Sequence, residues 1–277
     1  MLERLLVIAA AGEYPQLLIR GAKAAGVKCV DVMAVKGSCP WSTRRLADHV
    51  YPFAVGESDK AIAWTAQAGY DGAVLAGQVS PMSLFTGKFG PVVRQWLHEM
   101  PVKNAHTIFG KLVSEFEKAG VRMIPASSFM DANLPGEGCL TERGLTDAER
   151  DDVARGMQVA ADVGRHDVGQ TVLVKSGMVL AVEAFEGTNA AIRRAGKLAK
   201  GAVLCKAARE GHDWRFDIPV VGLKTLKTMK RAGVTALAFQ AGRQLVLDRE
   251  EVIRHANRHG MAIVGVGTAL PAAPTRP

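Results

Sequence analysis

The sequence predicts an α/β protein with a Rossmann-like N-terminal domain and a mixed α/β C-terminal domain. Its 277 residues exceed the roughly 150 typical of one domain. In the first half, short apolar runs alternate with helix-length segments, a pattern typical of parallel βαβ units. Ser, Asn, Pro and Gly cluster over 126–145 and interrupt this pattern. We therefore expect domains at 1–130 and 146–268, a linker at 131–145 and a loose tail at 269–277.

The N-terminal elements follow from local signals. The continuously apolar run from Leu5 to Ala10 predicts a buried strand. Gly12 predicts a turn, and Pro15 is placed to begin a helix that ends near Gly26. The same signals predict strands at 27–35, 49–55, 72–77 and 121–125, and helices at 57–68, 91–100 and 104–118.

The C-terminal elements begin with a capping-box pattern. Thr146 and Glu149 predict the start of a helix that runs to about Val163. The segment 175–178 separates two β-branched runs and predicts a hairpin of strands 171–174 and 179–182. Further predicted elements are helices at 190–199, 223–231 and 250–259, and strands at 203–206, 236–239, 245–247 and 262–266.

Composition narrows the function classes. The 35 Lys and Arg against 27 Asp and Glu give a formal net charge of +8, which excludes an acidic, solvating chain and favours anionic partners. Aromatic residues are only 6%, and no groove-reading motif is present, so nucleic-acid binding rests on charge alone and is not expected. No run approaches the roughly 20 apolar residues of a membrane helix. Four dispersed cysteines, none in a Cys-x-x-Cys pair, favour a reduced cytoplasmic protein.

Two local patterns admit a functional and a structural interpretation. The turn at Ala11 and Gly12 stands where a doubly wound sheet can hold an anion, but the glycine fingerprint of dinucleotide folds is absent. His255 and His259 are spaced i, i+4 and could bind a metal. Ala256 stands where metalloproteases carry Glu, so an exposed polar helix face is the better interpretation.

The segment 223–231 is a basic amphipathic helix. Its lysines and Arg231 could rest on anionic lipid headgroups, although a solvated face over an apolar core stripe is the more frequent arrangement.

The densest chemistry lies between 166 and 222, where carboxylates are interleaved with cations. Hard oxygen ligands beside cations suit Mg²⁺ or Mn²⁺ acting on a phosphate ester. A surface salt-bridge cluster fits the spacing equally well. The charged residues concerned are Glu183, Glu186, Lys206, Asp213, Arg215 and Asp217.

Motifs in this region resemble the signature of the LpxI-type UDP-2,3-diacylglucosamine pyrophosphatases, and the likeness extends to the N-terminal runs at 7–12 and 73–77. The motifs that carry it are Asp167-Val-Gly-Gln170, Val182-Glu-Ala-Phe-Glu-Gly-Thr188, Arg215-Phe-Asp-Ile-Pro-Val-Val-Gly222, Gln240-Ala-Gly242 and Leu247-Asp-Arg-Glu250.

The resemblance implies a hydrolase of lipid A biosynthesis that converts UDP-2,3-diacylglucosamine to UMP and 2,3-diacylglucosamine 1-phosphate. It implies Mg²⁺ or Mn²⁺ as cofactor, a substrate cleft between the two domains, and a cytoplasmic location at the anionic inner-membrane surface. A homodimer is also possible, and no nucleic-acid partner is expected.

The resemblance and the charged cluster together suggest roles for individual residues. The resemblance implies that Asp217 is catalytic, and from the cluster we expect Glu186 and Glu183 to assist it and Asp217 and Asp213 to bind the metal. The expected substrate-binding residues are Ala11, Gly12, Gly77, Gln170, Gly187, Thr188, Lys206, Arg215 and Thr225.

Several positions depart from the family pattern. Ala10-Ala11-Gly12 replaces a triple glycine, Asn104-Ala105-His106 replaces Gly-Asp-Asp, and Asn189 replaces Asp. A proline is replaced by Ala208, and an arginine is missing near Pro81. These changes keep open the alternative of a paralogue that binds a nucleotide-linked glycolipid without cleaving it, or that takes another substrate.

Overall fold

The computed structural model describes residues 2–78, 90–102, 104–209, 211 and 213–267. The predicted tail at 269–277 and the position of Pro81 lie outside these residues. The chain divides into two compact units. Unit 1 comprises Met1–Met130 and Asp213–Asp217, and unit 2 comprises Asp131–His212 and Ile218–Pro277. A parallel sheet in unit 1 and a mixed sheet in unit 2 confirm the predicted fold class.

Unit 1 is built on a parallel sheet with the strand order β3-β2-β1-β4. The expected fifth strand at 121–125 is reduced to one parallel bridge between Ala73 and Met123. The strands are β1 (Arg4–Ala9), β2 (Cys29–Val35), β3 (Val50–Phe53) and β4 (Gly72–Ala76). The helices are α1 (Tyr14–Ala24), α2 (Trp41–Arg44), α3 (Ser58–Gln67), α4 (Pro91–Glu99) and α5 (Ala105–Lys118).

The continuous apolar runs of unit 1 become strands covered on both faces, as expected for a parallel sheet. Leu6, Ile8 and Met33 belong to a buried cluster with Phe116 of α5. This packing fixes α5 against the sheet.

Unit 2 contains a six-stranded sheet with the order β5-β12-β10-β8-β6-β7, in which β8, β10 and β12 are parallel. A separate parallel pair joins β9 and β11. The strands are β5 (Gly138–Cys139), β6 (Thr171–Lys175), β7 (Met178–Val182), β8 (Val203–Lys206), β9 (Val220–Val221), β10 (Ala236–Gln240), β11 (Leu245–Val246) and β12 (Ala262–Val266). The helices are α6 (Asp147–Arg165), α7 (Thr188–Leu198), α8 (Leu223–Ala232) and α9 (Arg249–Arg258).

Two local predictions in unit 2 are confirmed in detail. Thr146 and Glu149 form the capping box that begins α6. Strands β6 and β7 pair as an antiparallel hairpin, with φ of 50° at Ser176 and 75° at Gly177. The Asp152 carboxylate accepts hydrogen bonds from both turn amides, at 3.0 and 2.6 Å, so α6 holds the hairpin.

Strand direction gathers polar residues at one edge of the larger sheet. The parallel strands β8 and β10 end there with Lys206 and Gln240. Because β6 is antiparallel to β8 and to β7, Thr171 begins at the same edge and Glu183 follows β7 there. Side chains from four strands therefore meet at this edge.

Among the helices of the described residues, none is both long and apolar enough to cross a bilayer.

Candidate functional site

The first turn of unit 1 is closed by backbone hydrogen bonds. The Ala10 amide donates to the Ala76 carbonyl at 2.9 Å, and Ala11 and Gln78 exchange two bonds of 3.2 and 2.8 Å. Gly77 has a φ of 100°, and a Cβ there would lie 2.7 Å from the Ala11 oxygen, so the turn requires glycine. The Ala11 amide is thus committed to Gln78, whereas Gly12 borders open space.

An apolar pocket lies in unit 1 at the carboxyl ends of the strands. It contains about 810 Å³ of space, including its open mouth, and among the described lining residues Ser58 alone bears a hydroxyl. Helices α4 and α5 form the wall opposite the strands. The lining residues are Ile8, Ala10, Val35, Phe53, Val55, Ser58, Leu75, Ala76, Gly77, Val93, Trp96, Leu97, Met100, Ile108, Phe109 and Leu112.

Residues 213–217 lie against α5, within unit 1. The amides of Phe216 and Asp217 donate to the Asp213 carbonyl at 3.2 and 2.8 Å, which makes the segment a tight turn. The Phe216 ring packs 5.3 Å from the His106 ring and 6.2 Å from the Phe109 ring, measured between centroids. This packing places Asp217 beside α5, with its Oδ2 3.8 Å from His106 Nδ1.

Arg215 is bound by two carboxylates. Its guanidinium donates to Asp213 at 2.5 and 2.9 Å and to Glu117 of α5 at 2.5 Å. The hydrogen bonds from Arg215 lower the pKa of Asp213, and those carboxylates raise the pKa of Arg215. Asp213 and Arg215, predicted to hold metal and substrate, are therefore engaged with each other.

The predicted Mg²⁺ or Mn²⁺ site has few protein ligands. In the described ranges, Asp213 and Asp217 belong to no group of three ligand atoms suited to one ion. Mg²⁺ is commonly bound by one or two carboxylates together with waters and substrate phosphates. The Asp217 carboxylate fits that role, and an ion of this kind would depend on the substrate for other ligands.

A second polar cluster lies at the edge of the six-stranded sheet in unit 2. Lys206 is 6% exposed, and its Nζ donates to Thr188 Oγ1 at 3.2 Å. Thr188 in turn donates to Glu183 Oε1 at 2.8 Å. Glu183 Oε2 is buried and has no hydrogen-bond partner within the described part of the chain. Gly169 is required here, because a Cβ would lie 2.1 Å from the Glu183 carbonyl.

The Lys206 ammonium lacks an anionic partner among the residues described, since no carboxylate pairs with it. A buried charge is normally paired, because transfer of an ion out of water is costly. An anionic ligand group such as a phosphate would supply the missing partner.

The other predicted site residues of unit 2 are placed as follows. Glu186 pairs with Arg194 at 2.6 Å, and this contact lowers the pKa of Glu186. Gly187, with a φ of 81°, precedes α7. The Gln170 carbonyl accepts from the Ala207 amide at 3.0 Å, and Thr225 is buried in the first turn of α8. Glu186 therefore anchors the turn before α7.

Two neighbours of the predicted residues were not predicted as site residues. His106 lies beside Asp217 although 111 positions separate them in the chain, and no local pattern signals that contact. Gln240 ends β10 with a buried side-chain oxygen that has no partner. Its place in the Gln-Ala-Gly motif was the available signal.

The chain was compared with known families and proteins. The LpxI N-terminal domain matches residues 4–133, and the LpxI C-terminal domain matches residues 136–264. The UDP-2,3-diacylglucosamine pyrophosphatase LpxI of Caulobacter vibrioides is 31% identical over 280 residues, covering 96% of this chain and 98% of that protein.

Solved structures give weak matches. A biotin carboxylase domain of a thermophilic 2-oxoglutarate carboxylase, bound to ADP, aligns with a TM-score of 0.28 and 13% identity, over 62% of this chain and 35% of that one. The biotin carboxylase subunit of pyruvate carboxylase aligns with a TM-score of 0.27 and 14% identity, over 67% of this chain and 39% of that one. Scores this low carry no argument. The two domain matches and the full-length relative show that the chain belongs to the LpxI family.

Proposed function

We propose that this protein hydrolyses UDP-2,3-diacylglucosamine to UMP and 2,3-diacylglucosamine 1-phosphate, a step of lipid A biosynthesis. Water attacks one phosphorus of the diphosphate, and the other phosphate leaves with its substituent. The Caulobacter relative is named for action on this substrate.

The observation that carries the proposal is the position of Asp217 next to an apolar pocket within unit 1. Ile108, Phe109 and Leu112 of α5 line the pocket, and the same helix contacts the 213–217 segment through His106 and Phe109. A substrate with a diphosphate and fatty acyl chains needs a polar reaction site beside an apolar pocket. Helix α5 lines the pocket and also contacts the segment that carries Asp217, which supports this assignment.

Asp217 is proposed to act at the reacting diphosphate. Its carboxylate would hold Mg²⁺ or Mn²⁺, and the ion would supply charge neutralisation of the phosphate oxygens. Asp217 can also orient the attacking water, and His106, at 3.8 Å, restrains the carboxylate. Within unit 2, Lys206 and Thr188 offer an ammonium and a hydroxyl to an anionic ligand group.

The acyl pocket can be tested by comparing substrates. We expect kcat/KM for UDP-2,3-diacylglucosamine to exceed that for UDP-glucosamine, which lacks acyl chains. Ile108→Trp narrows the pocket, and exclusion of about four methylenes at about 0.8 kcal/mol each corresponds to a loss of about 200-fold. UMP release is measured by mass spectrometry.

Lys118→Trp is the matched control, because it places the same side chain on the exposed end of the same helix. Equal turnover of acylated and unacylated substrates, or equal losses in both variants, would refute the acyl pocket. A ligand that raises the unfolding temperature and is recovered intact, with Mg²⁺ or Mn²⁺ present, would instead support the non-cleaving alternative.

We further propose that the protein binds the anionic surface of the inner membrane through a basic face on unit 2. This face comprises those exposed cations of α7 and α8, and Lys200 just after α7, that make no ion pair with a described carboxylate. A groove between the helices is lined by four of them and Thr228. The cations are Arg193, Lys197, Lys200, Lys224, Lys227, Lys230 and Arg231.

Charge complementarity selects an anionic bilayer as the partner, since each surface cation contributes about 1 kcal/mol. The double variant Lys227→Gln, Arg231→Gln removes about 2 kcal/mol, which is a loss of about 30-fold in partitioning. Co-sedimentation with phosphatidylglycerol vesicles measures the partitioning. The control is a second double variant, Lys60→Gln with Lys118→Gln, which removes two cations from unit 1. Equal binding to phosphatidylcholine vesicles would exclude the proposal.

A further inference from the structure

A thiol, a carboxylate and an imidazole meet at the amino ends of the unit 1 strands. Cys29 begins β2, and Asp31, two residues further, projects from the same face of the strand. The parallel register pairs Val32 with Val50, which aligns Asp31 with His49 just before β3. Two neighbouring strands thus bring three chemically different ligand groups together.

Hydrogen bonds hold these groups at distances close to those between the ligands of one metal ion. Cys29 Sγ lies 3.4 Å and His49 Nδ1 lies 2.9 Å from Asp31 Oδ1, and all three ligand atoms lie within 4.8 Å of one another. Tetrahedral Zn²⁺ with ordinary bond lengths separates sulfur and oxygen by about 3.5 Å, and nitrogen and oxygen by about 3.3 Å. The His49 side chain is 65% exposed, so its ring has room for the small adjustment.

The surroundings orient the central ligand. Asp31 is 1% exposed, its Oδ2 accepts from the Tyr70 hydroxyl at 2.7 Å, and its Oδ1 also accepts from the His49 amide at 3.1 Å. A hydrogen-bond donor on the distal oxygen is the typical outer support of a metal-binding carboxylate. Arg4, opposite Cys29 in strand register, donates to the carbonyls of Ala68 and Gly69 and also contacts the Cys29 thiol.

We propose that Cys29, Asp31 and His49 form a Zn²⁺ site that joins β2 to β3, with water as the fourth ligand. A sulfur, nitrogen and oxygen set selects zinc over Mg²⁺, which prefers oxygen ligands alone. The site lies at the opposite edge of the unit 1 sheet from Ala11 and Gly77. It shares no residue with the proposed hydrolytic site and is independent of that function.

Binding is tested on the full-length, reduced protein with Zn²⁺ and with its spectroscopic substitute Co²⁺. We expect one equivalent of Co²⁺ to give a thiolate-to-cobalt charge-transfer band and tetrahedral d–d bands, both lost on addition of Zn²⁺ and not on addition of Mg²⁺. Cys29→Ser should abolish the charge-transfer band, and His49→Ala should weaken metal affinity at least 10-fold. Tyr70→Phe should weaken it about 10- to 100-fold.

Cys139→Ser is the matched control, because it removes the exposed thiol of unit 2 and should leave the spectrum unchanged. A charge-transfer band that persists in Cys29→Ser, or no band with the wild-type protein at a saturating Co²⁺ excess, would overturn the proposal. If Cys29→Ser failed to fold, the His49→Ala variant would decide, because His49 is exposed and its replacement should not disturb folding. Unchanged metal affinity in His49→Ala would then overturn the proposal.

Discussion

Replacing Lys206 by methionine separates catalytic from structural roles at the unit 2 edge. Lys206 is 6% exposed and makes one described hydrogen bond, to Thr188 at 3.2 Å. Methionine keeps the unbranched stem and removes the charge.

Two opposing terms set the stability of this variant. Loss of a hydrogen bond from a charged donor costs about 1.5 to 3 kcal/mol. Removing a buried ammonium that lacks a carboxylate partner relieves a desolvation penalty of several kcal/mol. The free energy of unfolding of Lys206→Met should therefore equal that of the wild type or exceed it by up to about 2 kcal/mol.

The activity of Lys206→Met should fall although its stability is kept. If Lys206 contacts a phosphate oxygen, its loss costs about 3 kcal/mol, or about 150-fold in kcat/KM. Urea unfolding and UMP release measure the two effects. Lys175→Met, at the opposite end of β6, is the control and should retain activity within about threefold. A destabilisation of 3 kcal/mol or more would show that Lys206 serves the fold. Activity close to that of the wild type would show that Lys206 does not contact the phosphate.

Two further predictions concern stability. Gly156→Ala should lower the free energy of unfolding by about 1 to 3 kcal/mol, because its Cβ would lie 2.4 Å from Cys205 Sγ. Thermal unfolding of the variant checks this, and an unfolding temperature equal to that of the wild type would contradict it. Burial would raise the pKa of Glu149, but hydrogen bonds from Arg143 and two other donors lower it to about 2. The ionised Glu149 carboxylate therefore stabilises the folded protein by about 3 kcal/mol above pH 4.5, and this contribution is lost as the pH falls towards 2. Glu149→Gln should flatten that acid dependence, measured by urea unfolding between pH 6 and 3, and a variant as acid-sensitive as wild type would refute the assignment.

Local signals in the sequence predicted most regular elements. The capping box at Thr146 and Glu149 and the turn at Ser176 and Gly177 are decided within four residues, so the start of α6 and the hairpin were predicted correctly. Strands β5 and β9 were missed, because two residues are too few to show a period.

The site was harder to predict because its contacts are non-local. The 213–217 segment belongs to unit 1 although the surrounding chain belongs to unit 2. The contact between Asp217 and His106 arises from Phe216 packing on α5, which no spacing rule describes. Asp213 and Arg215 are two positions apart, so their proximity was predictable from the sequence. The ion pair that joins them through two hydrogen bonds was not.

Asp217 is the residue that we propose acts in hydrolysis of a UDP-linked diacyl sugar. The most direct test measures UMP release from UDP-2,3-diacylglucosamine by the wild type and by Asp217→Asn, each with Mg²⁺ or Mn²⁺. We predict UMP and 2,3-diacylglucosamine 1-phosphate in equal amounts from the wild type, and a rate at least about 100-fold lower from the variant. No UMP from the folded wild type, or equal rates from both proteins, would contradict the claim.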